Sequence, residues 1–468
     1  MTRVLIGYRR AAIVVAALGL GSAYNASAQD IVVDNVTLID GTGQPAQAHM
    51  SVAIEDGRFT VITPTSGASG LKGRRIDGSG KYLMPGLIDV HIHLGGGGPG
   101  VPDRKAGLAA LASYLYSGVT TVYDAGNDPK FILGLRAEER AGRIQSPRLL
   151  ATGNLITYPG SHDAEAAITI ESWPQAKAVL DKHIAEQSPD IVKFTYDEHG
   201  WGARPMITLL PKELLREAVL YYNQHGIRTT VHTSSELRAT EAIFAGVDSL
   251  AHPVIQGPIS DQFALLMGAK KTPMATTLTI GEGYSRLVEH PEYLDQPLYR
   301  ASLSPAAIAD LRGKTAAEWK ERTWTFWMKL MTPVAQNNLK KIQDAGGIIA
   351  VGTDQTIGPA VHREMELLKS AGIPASAIVR IATLNGARHL GRDADLGSIE
   401  RGKIADAVLL DADPTADISN AKAIVFVMKQ GVLIDEDKLP LAGGPQPLRR
   451  PRKMLSATAG PATGGGGH

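Results

Sequence analysis

Short apolar runs recur through the middle of the chain, separated by longer stretches with a helical pattern such as 211–225 and 237–245. Apolar runs of this length, bounded by turn residues, are typical of buried strands. The predicted strands are Leu87–His93, Val119–Asp124, Leu149–Ile156, Asp190–Thr195, Arg228–His232, Ser249–His252, Thr272–Thr277 and Ile348–Asp354. Eight strands alternating with helices predict an α/β protein in which residues 84–395 form a (β/α)8 TIM barrel.

Both ends of the chain have a different pattern, in which short β-rich runs alternate with turn residues. Asp40-Gly41 and Asp56-Gly57 are strong hairpin signals within this pattern. Neither end has enough strands for a sandwich of its own. We therefore predict a small β-sandwich domain built from both termini, residues 29–83 and 396–440, beside the barrel.

The first residues have the features of an export signal. A basic start is followed by the apolar segment 11–20 and by Ala26-Ser27-Ala28, a small-residue cleavage site. We predict a cleaved signal peptide over 1–28 and a periplasmic or secreted bacterial protein without a membrane span after cleavage, the alternative being an uncleaved anchor. Residues 441–468 are rich in Gly, Pro and Ala, and this composition predicts a disordered tail.

Composition narrows the function classes. The formal net charge of the 468-residue chain is +1, so charge gives no support for nucleic acid or an anionic membrane as a partner, and a small-molecule substrate is expected. The chain has no cysteine, which excludes disulfides, thiolate nucleophiles and thiolate metal ligands. A metal would have to be held by nitrogen and oxygen atoms.

Histidines stand where such a metal site would form. His91 and His93 are two residues apart at the end of the first predicted strand, so their side chains share one face. A single His-x-His is weak support, but four further candidate ligands end other predicted strands: Lys193, His232, His252 and Asp354. Catalytic groups of a (β/α)8 barrel lie at the carboxyl ends of its strands, where all six residues are placed.

The chain resembles the metal-dependent amidohydrolase superfamily, and most of all its imidazolonepropionase-like and Xaa-Pro-dipeptidase-like branch. The resemblance extends from about Ile31 to about Ile434. The segments that carry it are Met84-Pro85-Gly86-Leu87-Ile88-Asp89, Gly352-Thr353-Asp354, Ala382-Thr383-Leu384-Asn385-Gly386-Ala387 and Gly397-Ser398-Ile399-Glu400-Arg401-Gly402-Lys403-Ile404-Ala405-Asp406. Together these motifs are specific to the family, but they say little about the substrate.

The resemblance implies two divalent metal ions. His91, His93 and Asp354 would hold the more buried ion, His232 and His252 the more exposed one, and Lys193 would bridge them. A lysine ammonium has no free lone pair, and the family therefore converts the lysine into a carbamate with carbon dioxide. Nitrogen and oxygen ligands fit zinc best, with cobalt or manganese as replacements.

The implied reaction is hydrolysis of an amide C–N bond in a peptide-like or N-acyl substrate. A hydroxide bridging the metals would attack, and Asp354 would carry its proton to the leaving nitrogen; alternatively, Asp354 is a ligand only. A carbamate, urea, lactone or phosphotriester remains open as the target of the same site. A mononuclear deaminase is disfavoured by Lys193 and by Ser235, which stands where deaminases often carry a glutamate after the histidine at 232. A metal-binding protein without catalysis is the least favoured alternative.

Four residues are predicted to contact the substrate: His162, Tyr196, Trp201 and Trp324. Related peptidases often have a Ser-Gly-Gly run after the bridging lysine, whereas this chain has Thr195-Tyr196-Asp197-Glu198-His199-Gly200-Trp201, which favours an aromatic or apolar substrate group over a dipeptidase assignment. The long segment 281–345 forms either a lid or exterior packing. A homo-oligomer is left open.

Overall fold

A computed structural model of the chain describes residues 30–95, 103–199, 206–444 and 446. The predicted signal peptide over 1–28, Trp201 and most of the predicted tail lie outside the described residues. None of the described helices is long and apolar enough to cross a membrane.

The two termini combine in one mixed sheet of eight strands. Its strands are Ile31–Leu38, Gln47–Glu55, Arg58–Pro64, Arg74–Asp77, Tyr82–Pro85, Ala407–Leu410, Ile424–Lys429 and Val432–Leu433. Tyr82–Pro85 joins the two halves, because it pairs parallel with Ile31–Leu38 and antiparallel with Ala407–Leu410. The strand pairing thus links both ends of the chain in a single sheet, while the sandwich form of this domain stays a prediction.

Two tight turns meet at the edge of this sheet. Asp56 and Gly57 connect their strands with φ values of 49° and 75°, and Gln430 and Gly431 do the same with 51° and 75°. Positive φ at both central residues fits the right-handed twist of a hairpin. A Cβ atom on Gly57 would lie 2.9 Å from the carbonyl oxygen of Gln430, so the contact between the turns also requires glycine.

The central part of the chain consists of parallel strands in two sheets. The smaller sheet contains Leu87–Ile92, Val119–Asp124 and Arg148–Ala151, and the larger one Ile156–Thr157, Ile168–Thr169, Ile191–Thr195, Arg228–His232, Ser249–Leu250, Met274–Ala275 and Ile349–Ala350. Backbone hydrogen bonds join the sheets on both sides, from Asp190 N to Ala151 O at 3.0 Å and from Val90 N to Val351 O at 2.9 Å. The result is a TIM-barrel-like α/β arrangement.

Several strands are shorter than the sequence predicts. The predicted strand Leu149–Ile156 is interrupted at Gly153, whose φ is 73°. The last predicted strand ends at Ala350 rather than Asp354, because the N–H groups of Thr353 and Asp354 both turn towards His91 O, at 3.2 and 2.8 Å. This departure from the ladder brings Asp354 beside the histidines of the first strand.

Helices surround the central strands. They are Arg104–Tyr116, Pro129–Arg140, Trp173–Gln187, Lys212–Gln224, Glu236–Ala245, Asp261–Lys270, Leu278–Glu289, Pro297–Ser302, Pro305–Asp310, Ala316–Lys320, Thr323–Asp344, Pro359–Ser370, Ala375–Ile381 and Leu384–His389. Side-chain caps mark several of their starts; the Ser260 hydroxyl, for example, accepts a hydrogen bond from Phe263 N at 3.0 Å.

The long segment 281–345 lies over the carboxyl ends of the strands. Its last helix, Thr323–Asp344, packs against Leu278–Glu289. Trp324 faces the cavity that contains the predicted ligands, Trp327 packs against the barrel core, and Phe326 is 65% exposed. The segment therefore forms a wall of the site on one side and packs on the barrel with the other.

Candidate metal centre

Three predicted ligands converge on one point. The Nε2 atoms of His91 and His93 are 3.3 Å apart, and Asp354 Oδ1 lies 3.7 Å from the first and 3.4 Å from the second. His91 is buried, and His93 and Asp354 border open cavity space. Two imidazoles and a carboxylate thus lie together at one end of the TIM-barrel-like arrangement.

The hydrogen bonds of the two imidazoles fix their tautomers. His91 Nδ1 lies 3.0 Å from the carbonyl oxygen of Ala251, and His93 Nδ1 lies 2.7 Å from that of Gly126. A carbonyl oxygen only accepts hydrogen bonds, so each Nδ1 carries a proton, and the neutral form of either ring presents its lone pair at Nε2. Two lone pairs and the Asp354 carboxylate facing one point repel one another unless a cation lies between them. The donor set therefore fits a divalent metal ion.

Lys193 reaches the same point from the neighbouring sheet. Its Nζ lies 3.2 Å from His91 Nε2, and the side chain is buried. Burial lowers the pKa of Lys193, while the carboxylates of Asp354, Asp163 and Asp124 oppose this effect. The site therefore favours the neutral amine more than solvent does.

The other two predicted histidines lie alongside. The ring of His252 is 4.5 Å from the rings of both His91 and His232, centroid to centroid. Ligand atoms of His91, His252 and Asp354 all lie within 4.8 Å of one another, close enough to hold one metal ion. Burial above all, and then neighbouring positive groups, lower the pKa values of His91 and His252, which keeps both rings neutral and able to bind a metal.

Asp354 has a strained backbone conformation. Its φ of 53° is in the left-handed region, which is uncommon for a residue other than glycine. The buried carboxylate of Asp89 holds the segment before it: Asp89 accepts hydrogen bonds from Thr353 N at 3.0 Å, Thr353 Oγ1 at 2.6 Å and His91 N at 3.2 Å. Asp89 thus couples the strand that carries the histidines to the turn that carries Asp354.

Two cavities meet at the metal centre. The first, of about 480 Å³, is lined by all the predicted ligands except His91, and by His162 and Trp324. The second, of about 560 Å³, shares His93, Ile280, Tyr284 and Asp354 with the first and is otherwise formed mainly by segment 281–345. Both volumes are in the range of sites for small molecules.

Residues 82–434 match the model of the amidohydrolase family. The chain belongs to the amidohydrolase family. The match covers most of the chain, and amidohydrolases typically bind divalent metal ions. The predicted enzyme class, a hydrolase of carbon–nitrogen bonds in this superfamily, is confirmed.

Individual relatives agree with the predicted branch. The chain is 21% identical to imidazolonepropionase of Thermoanaerobacter pseudethanolicus over 407 residues, 77% of this chain and 83% of that protein. It is 24% identical to ochratoxinase of Aspergillus niger over 379 residues, 75% of either chain. The solved structure of a Xaa-Pro dipeptidase with bound methionine superposes with a TM-score of 0.70 at 22% identity, covering 87% of this chain and all of that one. The predicted superfamily and branch are confirmed.

The amidohydrolase structure brings two of the four predicted substrate contacts to the centre. His162 and Trp324 line the first cavity, with the His162 ring 4.7 Å from that of His232. Tyr196 is placed elsewhere, which corrects the predicted contact: it is 1% exposed, and its hydroxyl donates to Glu241 at 2.8 Å. The reason is strand alternation, because Tyr196 is three positions from Lys193 and so faces the opposite side.

The centre also contains a buried carboxylate beside His232 that was not predicted. Asp197 is buried, and its Oδ2 lies 3.1 Å from His232 Nε2. The signal was present in the sequence, since Lys193, Thr195 and Asp197 alternate on one face. Asp197 thus orients the imidazole ring of His232.

Proposed function

We propose that this amidohydrolase is a binuclear metal enzyme that hydrolyses an amide bond in a peptide-like or N-acyl substrate with an aromatic or apolar group. The observation that carries the proposal is the convergence of two imidazole lone pairs and a carboxylate at the floor of a cavity walled by Trp324. These acceptors suit a metal ion, and the wall offers an apolar surface to a substrate.

The family resemblance suggests how two ions would be divided. His91, His93 and Asp354 would hold one ion, and His232 and His252 would hold the second; the nitrogen and oxygen donors suit zinc. When bound, the metals would act as Lewis acids that polarise the amide carbonyl and lower the pKa of a water molecule.

Lys193 would connect the two ions as a carbamate. Burial lowers the pKa of this amine, and its neutral form has the lone pair needed to bond to the carbon of carbon dioxide; the proton released from the nitrogen passes to solvent. The product is an anion that offers two oxygen atoms where the unmodified lysine offers only a nitrogen atom.

Asp354 would move the proton of the reaction. As the oxygen of water bonds to the carbonyl carbon, Asp354 accepts a proton, and as the C–N bond breaks it donates that proton to the leaving nitrogen. Its position at the junction of the two cavities suits this role, because the two halves of the substrate separate at that point.

A substrate panel tests the proposal. The mature protein is supplied with zinc and bicarbonate, and the release of free amine is measured with N-acyl amino acids, dipeptides and, as comparison, carbamates and ureas. We expect turnover of amides with an aromatic group. Turnover restricted to the comparison compounds contradicts amide hydrolysis.

We also propose that a bacterium exports the enzyme. The basic start, the apolar segment 11–20 and Ala26-Ser27-Ala28 support this. Expression of the full chain followed by N-terminal sequencing of the exported protein should find Gln29 first. An intact N-terminus in the cytoplasmic fraction contradicts export.

A further inference from the structure

The second cavity opens beside the reacting centre. It borders Asp354 and His93 on one side, and segment 281–345 and the helix Pro359–Ser370 on the other. The first cavity also borders Asp354 and His93, and it adjoins the second cavity along Ile280 and Tyr284, which line both. A substrate whose scissile bond lies at Asp354 can therefore place one half in each cavity.

Aromatic rings dominate the second cavity. Tyr284 and Trp319 lie with ring centroids 4.5 Å apart, and Tyr293 and Tyr299 lie 4.8 Å apart. Leu287 closes the wall between them. Such a surface favours an apolar or aromatic side chain over a polar one.

The two arginines of this wall differ in whether a carboxylate pairs with them. Arg363 is neutralised, because it contacts Glu282 at 2.8 Å and Glu366 at 3.2 Å. Arg286 is different: within residues 30–95, 103–199 and 206–444, no carboxylate oxygen lies within 4.0 Å of its guanidinium. The cavity thus contains one cation that the described protein does not pair.

Neutral groups hold the Arg286 guanidinium in place. Its central carbon lies 3.9 Å from the centroid of the Tyr293 ring, and Nη1 donates to the Tyr299 hydroxyl at 3.1 Å. These contacts orient the guanidinium group without cancelling its charge, and they leave further N–H donors for a ligand. A carboxylate is the group that a planar guanidinium binds with two parallel hydrogen bonds.

We propose that the second cavity binds the amine half of the substrate and that this half carries a free carboxylate, bound by Arg286. The substrates are then N-acyl amino acids or dipeptides whose last residue is apolar or aromatic, with that side chain against Tyr284, Tyr293 and Trp319. The inference rests on the proposed amide hydrolysis and specifies its substrate class.

The first cavity is the less suitable place for the carboxylate. It contains Asp163, whose charge would oppose another anion, and its arginine, Arg322, is exposed to solvent at the rim. Water screens an exposed charge and weakens its pairing. Arg322 is nevertheless a cation near the centre, and so it provides the matched control.

A pair of substrates with the same scissile bond tests the inference. N-acetylphenylalanine carries the carboxylate, and N-acetylphenethylamine has the same aromatic ring without it. We expect a kcat/KM higher by roughly tenfold or more for the acid, mainly through KM, because a charge-assisted pair is lost with the neutral compound. In Arg286→Gln this preference should disappear while turnover of the neutral amide persists, Arg286→Lys should restore part of it, and Arg322→Gln should keep it.

A binding measurement distinguishes an error in the proposed carboxylate subsite from an error in the proposed amide hydrolysis. Calorimetry with the same two compounds measures the carboxylate preference without turnover. A preference in binding that Arg286→Gln removes, with neither amide cleaved, supports the subsite and contradicts amide hydrolysis. Equal binding and equal turnover of both compounds by the wild-type enzyme overturn the inference without any variant, and so does a preference that Arg322→Gln alone removes.

Discussion

Glu364 anchors the segment that covers the active centre, and its removal should loosen that segment. The buried carboxylate accepts hydrogen bonds from Leu278 N and Thr279 N, both at 2.8 Å. These are backbone donors at the start of the helix Leu278–Glu289, which carries Tyr284 and Arg286 into the second cavity. The helix start thus depends on one side chain from a distant helix.

The magnitude follows from the two hydrogen bonds. Glu364→Ala leaves two buried N–H groups without their acceptor, at a cost of about 1–3 kcal/mol each. We therefore expect a loss of about 4 kcal/mol in the local stability of the helix start, which accelerates amide exchange there by on the order of 10³-fold. Glu364→Gln keeps the shape and one of the two acceptor oxygens, so as a control it should lose about half of this stabilisation.

The stability that Glu364 contributes should depend on pH, because its neutral and ionised forms differ in free energy inside the protein. Burial raises the pKa of Glu364 to about 7 from its ordinary value of 4.5. The stability that the neutral group contributes is therefore complete below about pH 4.5 and is lost as the pH rises through 7. A shift of this size corresponds to about 3 kcal/mol. Because glutamine does not ionise, the stability of Glu364→Gln relative to that of the wild type should be higher at pH 8 than at pH 6.

Hydrogen exchange measured by mass spectrometry on peptides covering 278–289, at pH 6 and pH 8, is the assay. Exchange in Glu364→Ala within threefold of the wild type would refute the anchoring role. If the stability of Glu364→Gln relative to that of the wild type falls from pH 6 to pH 8, the ionised carboxylate, rather than the neutral acid, holds the helix start.

Three further predictions concern the centre itself. Asp354→Asn should keep most of the bound metal while kcat falls by about 10²–10⁴-fold, measured by elemental analysis and amine release; full activity excludes proton transfer by Asp354. Lys193→Ala should lose metal and activity, and a short carboxylic acid with bicarbonate should restore part of both; undiminished activity rules out the bridging role. Trp324→Ala should raise KM for aromatic substrates by roughly tenfold with little change for small aliphatic ones, whereas unchanged kinetics across both sets would remove Trp324 from the substrate-binding wall.

The parts of the site that follow strand alternation could be predicted from the sequence. His91 and His93 share a face because they are two residues apart, and the structure brings their Nε2 atoms within 3.3 Å. The same rule, applied with the correct parity, places Tyr196 on the opposite face and Asp197 beside the ligands. The spacing of these residues along the strand was enough to predict both positions. The prediction for Tyr196 was wrong because it relied on the closeness of Tyr196 to Lys193 in the sequence and not on the direction of its side chain.

Features that depend on distant contacts could not be predicted in this way. The left-handed conformation of Asp354 depends on Asp89, which lies on a different strand. The start of the helix Leu278–Glu289 is bound by Glu364, which lies more than 80 residues further along the chain. Apolar periodicity shows that a helix has a face to bury, but it does not show which surface that face meets.

Metal content per chain tests the central claim most directly. The mature protein, purified without chelator and supplied with zinc and bicarbonate, is measured by elemental analysis beside a His232→Asn/His252→Asn double variant. We expect two metal ions per wild-type chain and one per chain of the variant. A wild-type protein that holds no metal after this treatment contradicts the metal centre itself, and one that holds a single ion contradicts the bridged, binuclear site.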